Sequence, residues 1–202
     1  MSDRFARFLS IILHPILMPS YVLWFLLNHG SYYSAIISPF EKIGLYTVVV
    51  VFTLVFPAMV VNFLVVKGRI TSAEMVTREE RRIPFTSYLI LLLTAYYLMS
   101  LLQLPVLPTL MVLGASIAVA LSLLITYFWK ISIHMVGIGG AMGVMFALNS
   151  LIIIDLSLPI VLTMLISGLL GTARLSLGAH DPMQVYAGFA LGFLSEFLSI
   201  AW

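Results

Sequence analysis

Two histidines and a few arginines stand out in an otherwise apolar chain. The stretch GTARLSLGAHDPMQVYAGFALGF, residues 171–193, carries Arg174, His180 and Asp181 among apolar neighbours. A second cluster, Lys130-Ile131-Ser132-Ile133-His134, lies at the mouth of another apolar run, and a third, REERRIP at 78–84, holds Arg78, Arg81 and Arg82 ahead of Pro84. These residue types point to phosphate chemistry. Guanidinium groups grip a phosphate through forked, charge-assisted hydrogen bonds. Of two histidines, one can attack phosphorus while the other protonates the leaving oxygen. Arginines then stabilise the charge on the equatorial oxygens.

The elements that must position these groups are membrane helices. The chain has 202 residues, of which 62% are hydrophobic and 9% charged, and its mean hydropathy is +1.14. A soluble domain is about half apolar and about a quarter charged, so this chain reads as a single polytopic membrane domain over 1–202. Seven apolar stretches run over 8–27, 43–66, 85–104, 107–128, 133–154, 158–173 and 183–202. Each approaches the roughly 20 residues that cross the hydrocarbon layer. The sixth is short. The first is interrupted by His14-Pro15 and Met18-Pro19 and either spans with a kink or lies partly in the interface. The expected fold is therefore an all-α bundle of six or seven transmembrane helices. Residues 3–7, DRFAR, look like the start of a signal peptide, but two prolines break the following run and no small-residue cleavage site follows, so the segment reads as retained.

Cysteine is absent, and the four histidines (His14, His29, His134, His180) form no close pair, so no metal or organic cofactor is implied. Nothing points to nucleic acid. GIGGAMG, 137–143, superficially suggests a nucleotide loop but lies inside an apolar span without a preceding strand. Small residues four apart, Gly139/Gly143, Ser167/Gly171 and Gly188/Gly192, mark close helix packing instead.

If all seven stretches span, one membrane face holds Arg4, Arg7, Lys67, Arg69, Arg78, Arg81, Arg82, Lys130 and Arg174, and the other holds Lys42. Basic loops stay in the cytoplasm, which predicts a cytoplasmic motif face in the plasma (inner) membrane of a prokaryote. The same distribution brings all three clusters to one face, where they can assemble an anion site. Asp155 and Glu196 are expected near the opposite interface.

ARLSLGAHDPMQVYAGFALG resembles the third motif of the type 2 phosphatidic acid phosphatase superfamily: Ser-Arg, five residues, His, three residues, Asp, then a Gly-rich span. ISIH at 131–134 resembles its second motif, Pro-Ser-Gly-His, with Ser132 and His134 matching. REERRIP is a loose counterpart of its first motif, Lys, six residues, Arg-Pro. The resemblance covers residues 78–193. Ala173 replaces the motif serine, Gln184 the orienting Asp, and Ile131 and Ile133 the Pro and Gly, while Ile83 separates Arg82 from Pro84. Two apolar stretches separate the first and second motifs, which share one loop in familiar members. The resemblance implies that His180 is a nucleophile that becomes phosphorylated and His134 the general acid/base. It also implies that Arg174 and Ser132 bind phosphate, with Arg78, Arg81, Arg82 and Lys130 as further phosphate contacts, and that Gln184 orients the nucleophile. The implied partner is a lipid phosphate substrate among membrane lipids.

Blander readings stand beside these. Asp181-Pro182 with Gln184 reads as a helix start with a capping box. The 78–82 cluster reads as a solvated, orientation-setting loop partnered by Glu79 and Glu80. His134 reads as a histidine bonded at a helix end. Two functions follow: a membrane-embedded lipid phosphate phosphatase or phosphotransferase, or a non-catalytic phosphate-lipid binding, transport or scaffold protein on the same fold.

Overall fold

The computed structural model describes residues 1–29, 32–151 and 155–202, and among these every regular element is helical. In chain order they are α1 (Asp3–Ile12), a 3₁₀ turn (Pro15–Leu17), α2 (Met18–Asn28), α3 (Tyr32–Ile36) and α4 (Pro39–Val50). A π-helical segment (Val51–Val55) joins α4 to α5 (Phe56–Val66). Then follow α6 (Arg78–Leu101), α7 (Val106–Thr126), α8 (Ile133–Leu151), α9 (Ser157–Ser176) and α10 (Pro182–Ala201). Among the described residues, seven helical segments, counting α1–α2 and α4–α5 as one each, are long and apolar enough to cross a membrane. The chain is an integral membrane helical bundle.

Proline and capping chemistry set the breaks. Pro15 cannot donate to the turn before it, and α1 stops at Ile12. His14 takes an extended conformation and caps the 3₁₀ turn, its Nδ1 accepting from the Ile16 N–H at 3.4 Å. Pro57 likewise withholds an N–H, and the backbone just before it widens into the π pattern. Thr77 and Glu80 form a reciprocal capping box that starts α6 at Arg78. Pro84 is therefore the seventh residue inside a helix rather than a boundary. The arginine cluster lies on the first turns of α6, not in a loop ending at 84, because the cap at Thr77 outweighs the proline. The sixth span is not short: α9 has 20 residues and keeps Arg174 in its last turn.

The tightest seam joins α8 to α10. Gly188 packs on the Ser132 carbonyl, Gly192 on the Val136 carbonyl, and Glu196 on Gly140, so both helices start at the same end and run parallel. A Cβ at Gly188 would lie 2.6 Å from the Ser132 oxygen, and Gly139 and Gly143 abut the carbonyls of Phe189 and Phe193. The expected small-residue packing is found here, and GIGGAMG is the α8 half of it. Around the seam sit two larger apolar clusters, one built on Leu45, Leu92 and Met99 and another on Val144, Ala147 and Leu148.

One placement differs from expectation. Asp155 is exposed at the start of α9, where it accepts from the Ser157 N–H at 2.9 Å. Glu196, expected near the same interface, is instead buried between α7 and α8 against Gly114 and Gly140.

Candidate functional site

The site forms where α1, α6, α8, α9 and α10 meet at the motif end of the bundle. Arg174 closes α9. The chain then turns through a Schellman motif: the Ala179 N–H donates to the Arg174 carbonyl at 3.2 Å and the Gly178 N–H to Leu175 at 3.0 Å. Gly178 has φ +61°, a conformation that glycine adopts without a Cβ penalty. This turn delivers His180 to the start of α10. Asp181 caps that helix by accepting from the Gln184 N–H at 2.9 Å.

The Gln184 side chain does not close the expected capping box onto the Asp181 backbone N–H but engages two side chains instead. Its Nε2 donates to Asp181 Oδ2 at 2.7 Å, which fixes the amide orientation because a carboxylate only accepts. Its Oε1 then faces His180 Nδ1 at 2.7 Å. His180 must donate from Nδ1, so its Nε2 carries a bare lone pair. That nitrogen is buried and has no hydrogen-bond partner among the described residues. Burial is the main cause that pushes the His180 pKa down to about 4. The Gln184 hydrogen bond opposes the shift, and the positive charges of Arg81, Arg174 and Lys130 add to it.

His134 is arranged the opposite way. Its Nε2 lies 3.1 Å from the Ser10 carbonyl and must donate to it, which leaves Nδ1 bare, buried and without a partner among the described residues. Ser10 also accepts from Arg174 Nη1 at 3.1 Å while donating to the Ala6 carbonyl at 2.9 Å. A single residue of α1 thus anchors both the His134 ring and the Arg174 guanidinium. Arg174, His14 and His180 all lie within electrostatic reach of His134, and the His14 ring meets it edge to face with centroids 5.3 Å apart.

The remaining basic residues divide into two groups. Arg81, 3% exposed, donates from Nε to Met75 and from Nη1 to Ile131 backbone oxygens, at 3.1 and 2.8 Å. It lies close enough to His180 to act on its charge. Lys130 does likewise, and burial together with Arg81 and Arg174 lowers its own pKa. Arg78 donates to the Phe128 carbonyl at 2.7 Å, and Arg82 stacks on Tyr127 at 4.7 Å. Both brace the turn after α7. Glu80 is engaged in capping and with the Thr71 N–H at 2.6 Å, rather than partnering these arginines. Ser132 is fully buried with its Oγ unpartnered, and its N–H donates to the Gln184 carbonyl at 3.3 Å.

The structure therefore gathers His180, His134, Arg174, Ser132, Arg81, Lys130 and Gln184 at one end of the bundle. Sequence reasoning missed Ser10, whose only mark was a hydroxyl in an apolar run one turn before His14. Beside the cluster opens an apolar cavity of about 770 Å³ that includes His14, Ile133 and Ser72 near the basic end and extends inward past Tyr88 to Glu196. No family model, curated protein or solved structure matches this chain.

Proposed function

We propose that the protein is a membrane-embedded phosphatase or phosphotransferase acting on a lipid phosphate. The observation that carries this reading is the pair of bare imidazole nitrogens, His180 Nε2 and His134 Nδ1, buried beside Arg174 with each opposite ring nitrogen anchored. A neutral imidazole held by its far nitrogen is a nucleophile ready to attack. In the proposed reaction, His180 Nε2 attacks phosphorus and the P–O bond to the lipid breaks. The phosphoryl group then rides on Nε2, and the ring's positive charge faces Gln184 and, through it, Asp181. His134, protonated on Nδ1 in the complex, gives that proton to the leaving alkoxide. It then takes a proton from the water that attacks phosphohistidine, which releases phosphate and restores both rings. Arg174, Arg81 and Lys130 offset the phosphate charge. The likeness to the phosphatidic acid phosphatase motifs supports the same assignment of roles.

The alternative is a non-catalytic phosphate-lipid binding or transport protein. It draws support from Gln184 in place of an acidic residue and from Arg81 donating to backbone carbonyls. One experiment separates the two. Purified protein in detergent or nanodiscs should release phosphate from at least one of phosphatidic acid, phosphatidylglycerophosphate or a polyprenyl diphosphate, and His180→Ala should remove that release. A panel with no turnover above the His180→Ala background selects the binding reading.

We also propose that the basic end faces the cytoplasm of a prokaryotic inner membrane. Leaving aside every residue of the phosphate cluster and its braces, Arg4, Arg7, Lys67 and Arg69 stand against Lys42. A cysteine introduced at Thr71 should resist membrane-impermeant labels in intact cells; labelling from outside would reverse the orientation.

A further inference from the structure

Glu196 plays no part in the phosphate reading, yet it is a carboxyl buried inside the bundle. It lies on α10, is 8% exposed and lines the apolar cavity. Its Oε2 makes no hydrogen bond, and no charged side chain among the described residues compensates it. Both facing helices leave space for it. A Cβ at Gly114 of α7 would sit 2.5 Å from that oxygen, and a Cβ at Gly140 of α8 would sit 3.2 Å from the Glu196 Cγ. Two glycines thus accommodate a carboxyl that any larger residue at 114 would displace. A buried acceptor without a partner is unfavourable, and an ionisable group inside a membrane span is by default functional.

The cavity gives this carboxyl a ligand-facing setting. The wall is apolar apart from a few groups, and a second orphan lies on it: the Ser122 hydroxyl of α7, buried and without a hydrogen-bond partner among the described residues. His134 and Gly140 are six residues apart on α8, so Glu196 lies about 9 Å inward from the His134 level. A plain hydrocarbon chain would fill the cavity and leave both polar groups unpaired. An ammonium group held at the carboxyl would lie only about 9 Å inward of a cluster carrying Arg174, Arg81 and Lys130, whose like charge disfavours it. A neutral hydrogen-bonding group on an apolar chain fits both constraints.

We infer that the cavity holds one apolar chain carrying a neutral hydroxyl or carbonyl group, and that Glu196 binds that group, thereby selecting lipids functionalised a short distance from the headgroup. The cavity meets the phosphate cluster at His14, and the selection by Glu196 holds whether or not His180 performs chemistry.

Native mass spectrometry of the full-length protein tests this with matched lipids. The probes are phosphatidic acid and diacylglycerol, each with either plain acyl chains or chains hydroxylated near the ester. The wild type should retain the hydroxylated form about tenfold over the plain form for both lipids. Because the readout is a ratio that includes diacylglycerol, absence of phosphatase activity leaves it intact. Glu196→Gln, which keeps a donor and an acceptor, should preserve the preference, whereas Glu196→Leu should bring the ratio near one while plain lipid still binds. Should Glu196→Leu fail to fold, Gly114→Ala displaces the same carboxyl from the opposite helix and should lower the ratio likewise. A wild-type ratio near one, or a ratio unchanged in Glu196→Leu and Gly114→Ala, overturns the inference. Loss of the preference in Glu196→Gln also overturns it, since it would show that the group must be ionised.

Discussion

Gln184 bridges His180 and Asp181: its amide oxygen lies 2.7 Å from His180 Nδ1 and its amide nitrogen 2.7 Å from Asp181 Oδ2. A neutral side chain thereby couples a carboxylate to the ring. Asp181→Asn keeps an equally good helix cap and removes both the charge and the second acceptor that orients the Gln184 amide. It should lower kcat severalfold with little change in thermal unfolding. Gln184→Leu removes the acceptor from Nδ1 and should cost more than tenfold, over about 1.4 kcal/mol of barrier. Turnover and melting measured together decide the matter: an unaffected kcat in Asp181→Asn means that the aspartate only caps the helix.

The two rings should be opposite tautomers at neutral pH, His180 protonated on Nδ1 and His134 on Nε2. Nitrogen-15 NMR of histidine-labelled protein reads this directly, without reference to activity. The same spectra should show His180 staying neutral as pH falls through the ordinary histidine pKa of 6.5 and protonating near pH 4, since burial and nearby cations disfavour its charged form. Protonation removes the nucleophilic lone pair, so the acid limb of kcat/KM that His180 controls should also fall near pH 4. Protonation of His180 above pH 6 would contradict its burial beside Arg81, Arg174 and Lys130.

The arginines should separate by role. Arg174 touches the anchored histidine network through Ser10, so Arg174→Ala should cut turnover by at least about a hundredfold, in the range of losses for an oxyanion-stabilising group. Arg78 and Arg82 brace the turn at Tyr127–Phe128. Their alanine variants should lower the melting temperature more than they lower kcat. Loss of activity without loss of stability in Arg78→Ala would move it into the phosphate-binding group.

The sequence makes the helical bundle legible because hydrophobic length alone determines which segments can span. It also exposes the Arg174–His180 spacing and the glycine seam, since both are local patterns. Other features depend on contacts far apart in the chain. Ser10 reaches His134 across 124 positions, and nothing local distinguishes it from other serines in apolar helices. The start of α6 escaped because Pro84 is a strong local signal, whereas the Thr77–Glu80 box that overrides it sits in a polar segment. Glu196 escaped because a carboxyl near the end of an apolar run suggests an interface until Gly114 and Gly140 are seen to make room for it.

The parallel seam of α8 and α10 has a mechanical consequence. His134 opens one helix and His180 precedes the other, and backbone contacts along Gly188 and Gly192 leave the two little freedom to slide or rotate. The spacing of the two rings is therefore set by the backbone of the seam, like a fixed anvil. Any accommodation must come from the opposite wall, where the chain is already interrupted: the joint at His14–Pro15 and the widened turn before Pro57. The length and shape of a bound lipid chain would then be sensed by these two breaks, while the spacing of the two histidines stays constant.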